Sequence, residues 1–432
     1  MKTNPAVAVI SLGCPKALVD SEKIMTRLIA DGYKITSTPK KADLIIVNTC
    51  GFINDAMNES FEAIATALEQ NRPVIVTGCL GTKTELIREK FSTISAITGP
   101  HDDDGVMRWV HHFLPIKPIS FIEPLPLCGI KLTPSHYAYL KIAEGCDHAC
   151  TFCIIPQLRG KFVSRPMKAI ITEAESLVQN GVKEIMLIAQ DTGAYGHDLA
   201  DHSTLDMLLT ELSQLDIWIR LHYVYPYPFV DQLVEKMADR SILPYLDVPL
   251  QHVNPRILKL MKRPAYQENL LTRIARWRSI CPDITLRSTF IVGFPGETDE
   301  EFEELLHFLE IAEIDRAGCF PYSAVEGAAA NQLPDPIPES IKRERVEILT
   351  AFQAQISAEK LQRKVGQTMT VLVDAVNSSK IIARSMGDAP EVDGQVIIKK
   401  PAQSEIQPGD LITVKIDKSD TQDLYGHINE PL

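Results

Sequence analysis

The sequence contains no run of about 18 apolar residues, the length that a membrane-spanning helix requires. Its first residues, Met-Lys-Thr-Asn-Pro, lack the apolar segment of a secretory signal peptide. Basic residues are outnumbered: 44 Lys and Arg stand against 56 Asp and Glu, so the formal net charge is −12. This charge disfavours nonspecific nucleic-acid binding, which depends on neutralising phosphates. We therefore expect a cytoplasmic protein without membrane association, whose partner is basic or uncharged.

Cysteine is also scarce, with nine residues in a chain of 432. In a reducing compartment these indicate metal binding or catalysis rather than a disulfide framework. Three of them, Cys146, Cys150 and Cys153, have the spacing C-x3-C-x2-C. A [4Fe–4S] cluster normally takes four cysteine ligands, so three thiolates in one loop could hold a cluster with one open iron. The alternatives are a zinc site with a remote fourth ligand, or three unrelated thiols.

A second group of cysteines follows predicted strands near the N-terminus. Cys14, Cys50 and Cys79 each stand beside a glycine, directly after a short apolar run. The three runs are Val7–Leu12, Asp43–Asn48 and Pro73–Thr77. Helical patterns between them predict an open parallel α/β sheet, in which the carboxyl ends of the strands meet at one edge. The pattern predicts a second metal centre there, and the alternative is three buried structural thiols.

Six further strands alternate with helices from Ser135 onward, which predicts an open partial (βα)6 barrel. These strands are Tyr137–Ala143, Glu184–Ala189, Trp218–Tyr223, Tyr245–Val248, Thr285–Val292 and Arg316–Phe320. Catalytic groups in such barrels come from the C-terminal ends of the strands. The loop with Cys146 follows the first strand, and Gln190-Asp191-Thr192 follows the second. We expect both at the same end of the barrel.

The remaining segments predict a linker and a small all-β barrel. Prolines punctuate residues 116–131, and Cys128 in this linker has no partner motif. Cys281 and Cys319 are interpreted as core residues. Short alternating strands after Met369 are separated by glycine turns, which is typical of a small barrel. This segment has ten Asp and Glu against six Lys and Arg, so it suits a basic protein better than RNA.

The predicted fold class is therefore α/β, with three domains and a linker. The N-terminal open-sheet domain spans residues 5–115, and the linker spans 116–131. The partial barrel spans 132–364, and the all-β barrel spans 365–432. We expect the carboxylates of the last domain, for example Asp388, Glu391 and Asp393, to attract a basic partner.

The cysteine loop resembles the signature of the radical S-adenosylmethionine (SAM) enzymes, C-x3-C-x-aromatic-C, with Phe152 as the aromatic residue. The resemblance implies that the open iron binds SAM and that Phe152 lies near its adenine. It assigns Gln190 to the amino group of SAM and Gly293, in Ile291–Thr298, to the adenine site. Arg287 could pair with the SAM carboxylate as a bidentate fork, or could form a structural ion pair instead.

The N-terminal domain resembles that of the methylthiotransferases, a radical SAM subgroup, and Ser11–Glu22 matches the branch that modifies a ribosomal protein. The resemblance implies a second [4Fe–4S] cluster on Cys14, Cys50 and Cys79. Ala17 stands where that family usually has Asn, which removes a polar side chain near the cluster. The C-terminal barrel resembles the TRAM domain.

This resemblance implies that the enzyme adds a methylthio group to the β-carbon of an aspartate in small-subunit ribosomal protein S-twelve. Such a reaction needs SAM, two clusters, an electron donor and a sulfur source. The alternative is the sister branch, which modifies an adenosine of transfer RNA. Its usual motifs differ from this chain at Pro15–Ala17, Gln190–Thr192 and Pro249–His252. A non-enzymatic electron-transfer protein would need neither an open iron nor a SAM site.

Overall fold

The computed structural model describes residues 4–115, 129–263, 269–401 and 405–429. Its N-terminal part is a five-stranded parallel sheet in the order β2-β1-β3-β4-β5. The strands are β1 (Ala6–Ser11), β2 (Lys34–Ile35), β3 (Leu44–Thr49), β4 (Val74–Gly78) and β5 (Ala96–Ile97). The helices are α1 (Pro15–Ala30), α2 (Asn54–Leu68), α3 (Thr84–Lys90) and α4 (Asp103–Phe113).

The register of this sheet aligns the ends of its three central strands. Strands β3 and β4 are buried on both faces, as expected of apolar runs in a parallel sheet. Ser11 pairs with Asn48, and Thr49 pairs with Gly78, so the three strands end at nearly the same level. The loops after β1, β3 and β4 therefore lie side by side at one edge of the sheet.

The central part is a six-stranded parallel sheet in the order β13-β12-β11-β10-β9-β6. Its strands are β6 (Tyr137–Lys141), β9 (Glu184–Ile188), β10 (Trp218–Leu221), β11 (Tyr245–Asp247), β12 (Thr285–Val292) and β13 (Arg316–Pro321). A hairpin of β7 (Ala143–Glu144) and β8 (Val163–Ser164) encloses the loop that carries Cys146, Cys150 and Cys153.

Helices cover one face of the central sheet, while α1 of the N-terminal part covers the other face of β6 and β9. The helices of this layer are α6 (Met167–Gln179), α7 (Leu205–Leu212), α8 (Val230–Ala238), α10 (Leu270–Ile280), α11 (Asp299–Ala312) and α12 (Glu339–Gln362). Two short helices, α5 (Ile155–Arg159) and α9 (Pro255–Leu260), pack in separate clusters outside this layer. On the opposite face, Val19 of α1 packs with Tyr137, Tyr139 and Met186. The N-terminal domain is thus held against the concave face of the partial barrel.

The C-terminal part is a closed five-stranded barrel in the order β14-β15-β16-β18-β17. The strands are β14 (Thr368–Val376), β15 (Lys380–Ser385), β16 (Val396–Lys399), β17 (Leu411–Ser419) and β18 (Leu424–Ile428). The predicted α/β class and the three architectures are confirmed. The sequence pattern missed β15 and β18, and the predicted linker with Cys128 lies largely outside the described residues. Among the described helices, none is both long enough and apolar enough to cross a membrane.

The closed barrel packs against the N-terminal ends of the central strands, opposite the cysteine loop. Asp388 pairs with Arg316, the first residue of β13, at 2.8 Å. Asp393 accepts a hydrogen bond from Tyr245, the first residue of β11, at 2.6 Å. Glu391 accepts one from Tyr137, the first residue of β6, at 3.2 Å. The prediction that these carboxylates attract an external partner is therefore wrong for Asp388 and Asp393, whose buried carboxylates hold the barrel onto the core. It stays a prediction for Glu391, which is exposed.

Candidate metal centres

The structure brings Cys14, Cys50 and Cys79 together at the carboxyl edge of the N-terminal sheet. Cys14 caps the start of α1, Cys50 follows β3, and Cys79 follows β4. A Cβ atom on Gly13 would lie 3.1 Å from Cβ of Cys50, so these two loops touch. A Cβ atom on Gly51 would lie 3.1 Å from the carbonyl carbon of Cys79. The three thiols belong to one site, which fits the donor set of an iron–sulfur cluster.

The thiols of this trio differ in acidity. Burial alone would raise the pKa of Cys14, but the charge of Lys16 and the amides at the start of α1 bring it below its ordinary value. Burial raises the pKa of Cys79 to about 11, although Arg159 opposes the shift. Cys50 also has a raised pKa because of burial. Cys14 is thus the most easily ionised thiol of the three, and metal binding supplies the driving force to ionise the others.

The second trio lies on the loop between β7 and α5. Burial raises the pKa of Cys146 to about 11 and that of Cys153 to about 12, and each also responds to the charge of Cys150. Gly145, which precedes the trio, has φ +78°, and a Cβ atom there would lie 2.0 Å from the carbonyl oxygen of Lys161. Only glycine lets the hairpin close over the loop at this point.

Every cysteine in the described residues is a free thiol. Two separate groups of three soft sulfur donors, without disulfides, suit iron–sulfur ligation better than oxygen-preferring metals. Around the second trio, Oε1 of Gln190, Oδ1 of Asp191 and the hydroxyl of Tyr225 are buried and have no hydrogen-bond partner in the described protein. Buried polar atoms are rarely left unsatisfied, so these atoms fit a polar ligand beside the loop.

Arg159 of α5, which follows the loop of the second trio, contacts the first trio, and sequence reasoning missed it. Its Nε donates a hydrogen bond to Sγ of Cys79 at 3.1 Å. Its Nη1 donates to Asp20 at 3.2 Å and to Glu144 at 3.0 Å. The side chain is 2% exposed. A guanidinium that follows the second cysteine loop in sequence therefore contacts the first cysteine group in space.

Three tyrosines on the segment after β10 lie near the two trios, and they were also missed. Tyr223 lies near Cys14, whose charge affects the pKa of this tyrosine. Tyr225 stacks on His148 of the cysteine loop, with ring centroids 4.0 Å apart. Tyr227 donates a hydrogen bond to Asp191 at 2.7 Å. The only sequence signal was the alternation Tyr-x-Tyr-x-Tyr directly after a barrel strand.

Gln190 and Phe152, both predicted to contact SAM, lie beside the second trio. Gln190 donates a hydrogen bond from Nε2 to Glu144 at 2.5 Å and leaves its carbonyl oxygen without a partner. Phe152 is half-buried and packs into an apolar cluster with Ile291 and Phe294. The cysteine loop and the segment predicted for the adenine site thus meet in space.

The structure gives Gly293 a role that the sequence did not predict. Its φ is +67°, and a Cβ atom there would lie 2.4 Å from Cγ of Lys342 in α12. Its amide donates a hydrogen bond to Glu297 at 3.0 Å. The close approach that requires glycine here is made by a lysine of α12, and the assignment to a nucleotide stays a prediction.

Arg287 forms the structural ion pair that was the alternative to SAM binding. It is the third residue of β12 and so lies toward the N-terminal end of that strand. Its Nη1 lies 2.6 Å from Asp393 of the C-terminal barrel. The side chain is committed to the interface between barrel and core, at the end of the sheet opposite the cysteine loop. The geometry therefore favours a structural role, and we withdraw Arg287 from the SAM site.

Three family models match the chain. The Radical SAM superfamily matches residues 140–309, the uncharacterised protein family UPF0004 matches residues 6–99, and the TRAM domain matches residues 365–428.

Curated relatives of the chain carry the name ribosomal protein uS12 methylthiotransferase RimO, and two of them illustrate the similarity. The protein from Stenotrophomonas maltophilia (strain K279a) is 54% identical over 98% of this chain and 96% of its own length. The protein from Klebsiella pneumoniae is 53% identical over 98% of both chains.

Among solved structures, the chain is similar in fold to the radical SAM methyltransferase TsrM from Kitasatospora setae. The structure of TsrM with cobalamin and a [4Fe–4S] cluster gives a TM-score of 0.54 at 14% identity, over 74% of this chain and 75% of that one. The structure of TsrM with tryptophan and a SAM analogue gives 0.56 at 14% identity, over 82% and 89%. At this identity the likeness concerns the fold alone.

Proposed function

The chain belongs to the RimO family of radical SAM methylthiotransferases that act on ribosomal protein uS12, and on this premise we propose that it modifies the β-carbon of an aspartate in that protein. The near full-length similarity favours this substrate over the transfer-RNA alternative. The cofactors of the enzyme are [4Fe–4S] clusters and SAM.

The main support for the proposal is that the two separate cysteine trios lie beside the same loop after β10. Tyr223 lies near Cys14 of the first trio, and Tyr225 lies near Cys146 and Cys150 of the second. A reaction that needs one centre to start a radical and another to deliver sulfur requires both beside the same substrate atom. The arrangement supports such a division of labour.

We assign each trio to one cluster. The first cluster is held by Cys14, Cys50 and Cys79, and the second by Cys146, Cys150 and Cys153. Three ligands on the second cluster leave one iron for SAM. When bound, these groups supply the cleavage of an unactivated C–H bond, the sulfur and the methyl group, chemistry that protein acids and bases cannot perform.

The residues of the chain bind and orient these groups. We assign Gln190, through its unpartnered carbonyl oxygen, to the amino group of SAM. We assign Phe152 and the segment around Gly293 to the adenine, because Phe152 packs with Ile291 and Phe294 of that segment. N-terminal helix α1 covers the concave face of the barrel and keeps water from that side of the site.

Methylthiolation of purified uS12 tests this function. The anaerobically reconstituted enzyme is incubated with uS12, SAM and dithionite, and the uS12 peptides are analysed by mass spectrometry. We expect a methylthio group on one aspartate. A parallel incubation uses transfer RNA, with nucleoside analysis. A methylthio-adenosine with unmodified uS12 would overturn the proposal in favour of the alternative.

The wider setting of the reaction is also part of the proposal. We propose that the enzyme works in the cytoplasm, where ribosomal proteins are assembled, and meets uS12 in the context of the ribosome. It requires an electron donor for the second cluster and a sulfur source for the first. Comparing free uS12 with small ribosomal subunits as substrates in the same assay tests the ribosome context.

A further inference from the structure

Lys16 presents a positive charge without a carboxylate partner beside the first cysteine trio. It is the second residue of α1, two positions after Cys14. Its Nζ lies 3.4 Å from the centroid of the Tyr223 ring. Within the described residues no Asp or Glu pairs with it. By contrast, Arg159 and Lys141 near the same site each pair with both Asp20 and Glu144.

The contact with Tyr223 places this ammonium against the segment after β10, which runs on from Tyr223 to Tyr225 beside the second trio. Tyr223 lies just beyond the C-terminal end of β10, where the active groups of a partial barrel gather. The charges of Lys16 and Cys14 both act on Tyr223, while Tyr225 two residues later is affected by Cys150 and Cys146. A substrate side chain that must reach both trios would therefore lie over Tyr223, within reach of Lys16.

The chemistry of this ammonium favours an anionic ligand. A cation over an aromatic ring is stabilised by the negative face of the ring. A charge-assisted hydrogen bond to a carboxylate is stronger than one between neutral groups, so the ammonium can still bind an anion. Asp247, at the end of the neighbouring strand β11, accepts a hydrogen bond from the amide of Tyr223 and is already paired with His222 at 3.0 Å. Lys16 is therefore available to bind a carboxylate that comes from another molecule.

We propose that Lys16 binds the side-chain carboxylate of the target residue and thereby selects aspartate over a neutral side chain. This inference rests on the proposed function, because it takes an aspartate of uS12 as the substrate. Holding the carboxylate fixes the adjacent β-carbon between the two trios. Lys16 is thus a specificity-determining residue for the substrate, in addition to its effect on Cys14.

A comparison of two substrates with four proteins tests the proposal. The substrates are uS12 and a uS12 variant whose target aspartate is replaced by asparagine. The proteins are the reconstituted wild type, Lys16→Gln, Lys16→Arg and Lys83→Gln. Lys83 is the matched control, because it lies in the same domain at the seam with the core but is paired with Glu326 at 3.0 Å. Dissociation constants and iron content are measured for each protein.

We expect the wild type, Lys16→Arg and Lys83→Gln to bind the aspartate substrate about tenfold more tightly than the asparagine substrate, as one charge-assisted hydrogen bond provides. Lys16→Gln, with wild-type iron content, should bind the two equally. If Lys16→Gln keeps the preference, Lys16 does not bind the substrate carboxylate and the inference is overturned. If Lys16→Gln loses iron, Lys16 acts through Cys14 instead, which also overturns the inference. A wild type that neither binds nor modifies uS12 contradicts the proposed function instead.

Discussion

At the scale of single residues, the site depends on charged side chains of one domain that contact residues of another. Arg159 reaches from the core to Cys79, and Lys141 of β6 pairs with Asp20 of α1. Glu144 receives hydrogen bonds from Arg159, Lys141 and Gln190. Burial alone would raise the pKa of Glu144, but the hydrogen bond with His101 and the charges of Lys141 and Arg159 lower it. The carboxylate is thus ionised and holds cations in place around both trios.

Replacing Arg159 by Met should destabilise the protein, because Met keeps most of the volume but removes the charge. Asp20 and Glu144 would then keep Lys141 and His101 as partners but lose the guanidinium. Removing one partner of a buried ion pair typically costs about 3–5 kcal/mol, and we expect a loss in the free energy of unfolding of this order. Urea unfolding of the iron-free protein measures it.

Arg165→Met is the control for this change. Arg165 also pairs with a glutamate, Glu173, at 2.5 Å, but its side chain is 26% exposed. We expect Arg165→Met to cost about 1 kcal/mol or less. Equal losses for the two variants would show that the buried position of Arg159 is energetically unimportant.

The cysteine assignments make a second prediction at this scale. Two clusters correspond to about eight irons per chain. Replacing the second trio, Cys146, Cys150 and Cys153, by Ala should leave about four irons after reconstitution, because the first trio lies in another domain. A colorimetric iron assay measures this, and Cys281→Ala is the control, since Cys281 is a buried core residue. A triple variant that retains all its iron would contradict the assignment.

How far the site was predictable depends on the distance along the chain between partners. The two trios followed from local sequence, because each cysteine either shares a loop with its neighbours or directly follows a strand. Arg159 was not predictable, because its partner Cys79 is 80 positions away in another domain. The role of Arg287 was ambiguous, because the sequence identified its strand but not its partner Asp393, which lies near the N-terminal end of that strand.

At the scale of elements, the second cysteine loop is shaped by the hairpin of β7 and β8. The amide of Cys146 donates a hydrogen bond to the carbonyl oxygen of Gly160 at 3.2 Å. The amide of Phe162 donates one to Asp147 at 3.0 Å. The segment before β8 therefore fixes the start of the loop, and Gly145 lies directly against Gly160 and Lys161 of that segment.

Replacing Gly145 by Ala should disrupt this loop. A Cβ atom would collide with the carbonyl oxygen of Lys161 at 2.0 Å, and backbone atoms cannot rotate away as a side chain can. We expect iron loading to fall from about eight to about four per chain, with the first cluster retained. The iron assay on reconstituted protein measures the change.

Gly181→Ala is the matched control for backbone strain. Gly181 has φ +93°, so alanine is strained there too, but nothing lies within 4 Å of the added Cβ. We expect this variant to keep the iron content of the wild type. Equal loss of iron in both variants would mean that φ strain, rather than the collision with Lys161, explains the effect.

At the scale of the whole molecule, the closed C-terminal barrel and the cysteine loops occupy opposite ends of the central sheet. Trp218 and Tyr245, near the N-terminal ends of β10 and β11, pack with Leu372 and Ala389 of the barrel. The ion pairs of Asp388 with Arg316 and of Asp393 with Arg287 join the same two parts of the molecule. The overall acidity of the barrel was readable from the sequence. Its attachment to the core was not, because the partners of its carboxylates come from the first residues of four separate strands. These partners are Tyr137, Tyr245, Arg287 and Arg316.

The last prediction concerns Asp388 and the way its contribution to stability depends on pH. Burial would raise its pKa, but the charge and hydrogen bond of Arg316, together with Lys364 and Ser385, bring it below the ordinary value of 3.8. A carboxyl group whose pKa is lower in the folded state stabilises the fold above its unfolded pKa. That stabilisation is lost as the pH falls through the folded pKa.

We therefore expect Asp388→Asn to destabilise the interface by about 3 kcal/mol at pH 7, because Arg316 would stay buried without its charge partner. The difference from the wild type should shrink as the pH falls below about 3.9, the pKa of an unfolded aspartate, and should be lost below the lower pKa of folded Asp388. Urea unfolding followed by tryptophan fluorescence measures this, since Trp218 lies at the interface. Glu405→Gln, at an exposed position of the barrel, is the control and should match the wild type at each pH. A difference between Asp388→Asn and the wild type that stays constant from pH 7 to pH 3 would show that the Asp388 carboxylate does not fasten the barrel through its charge.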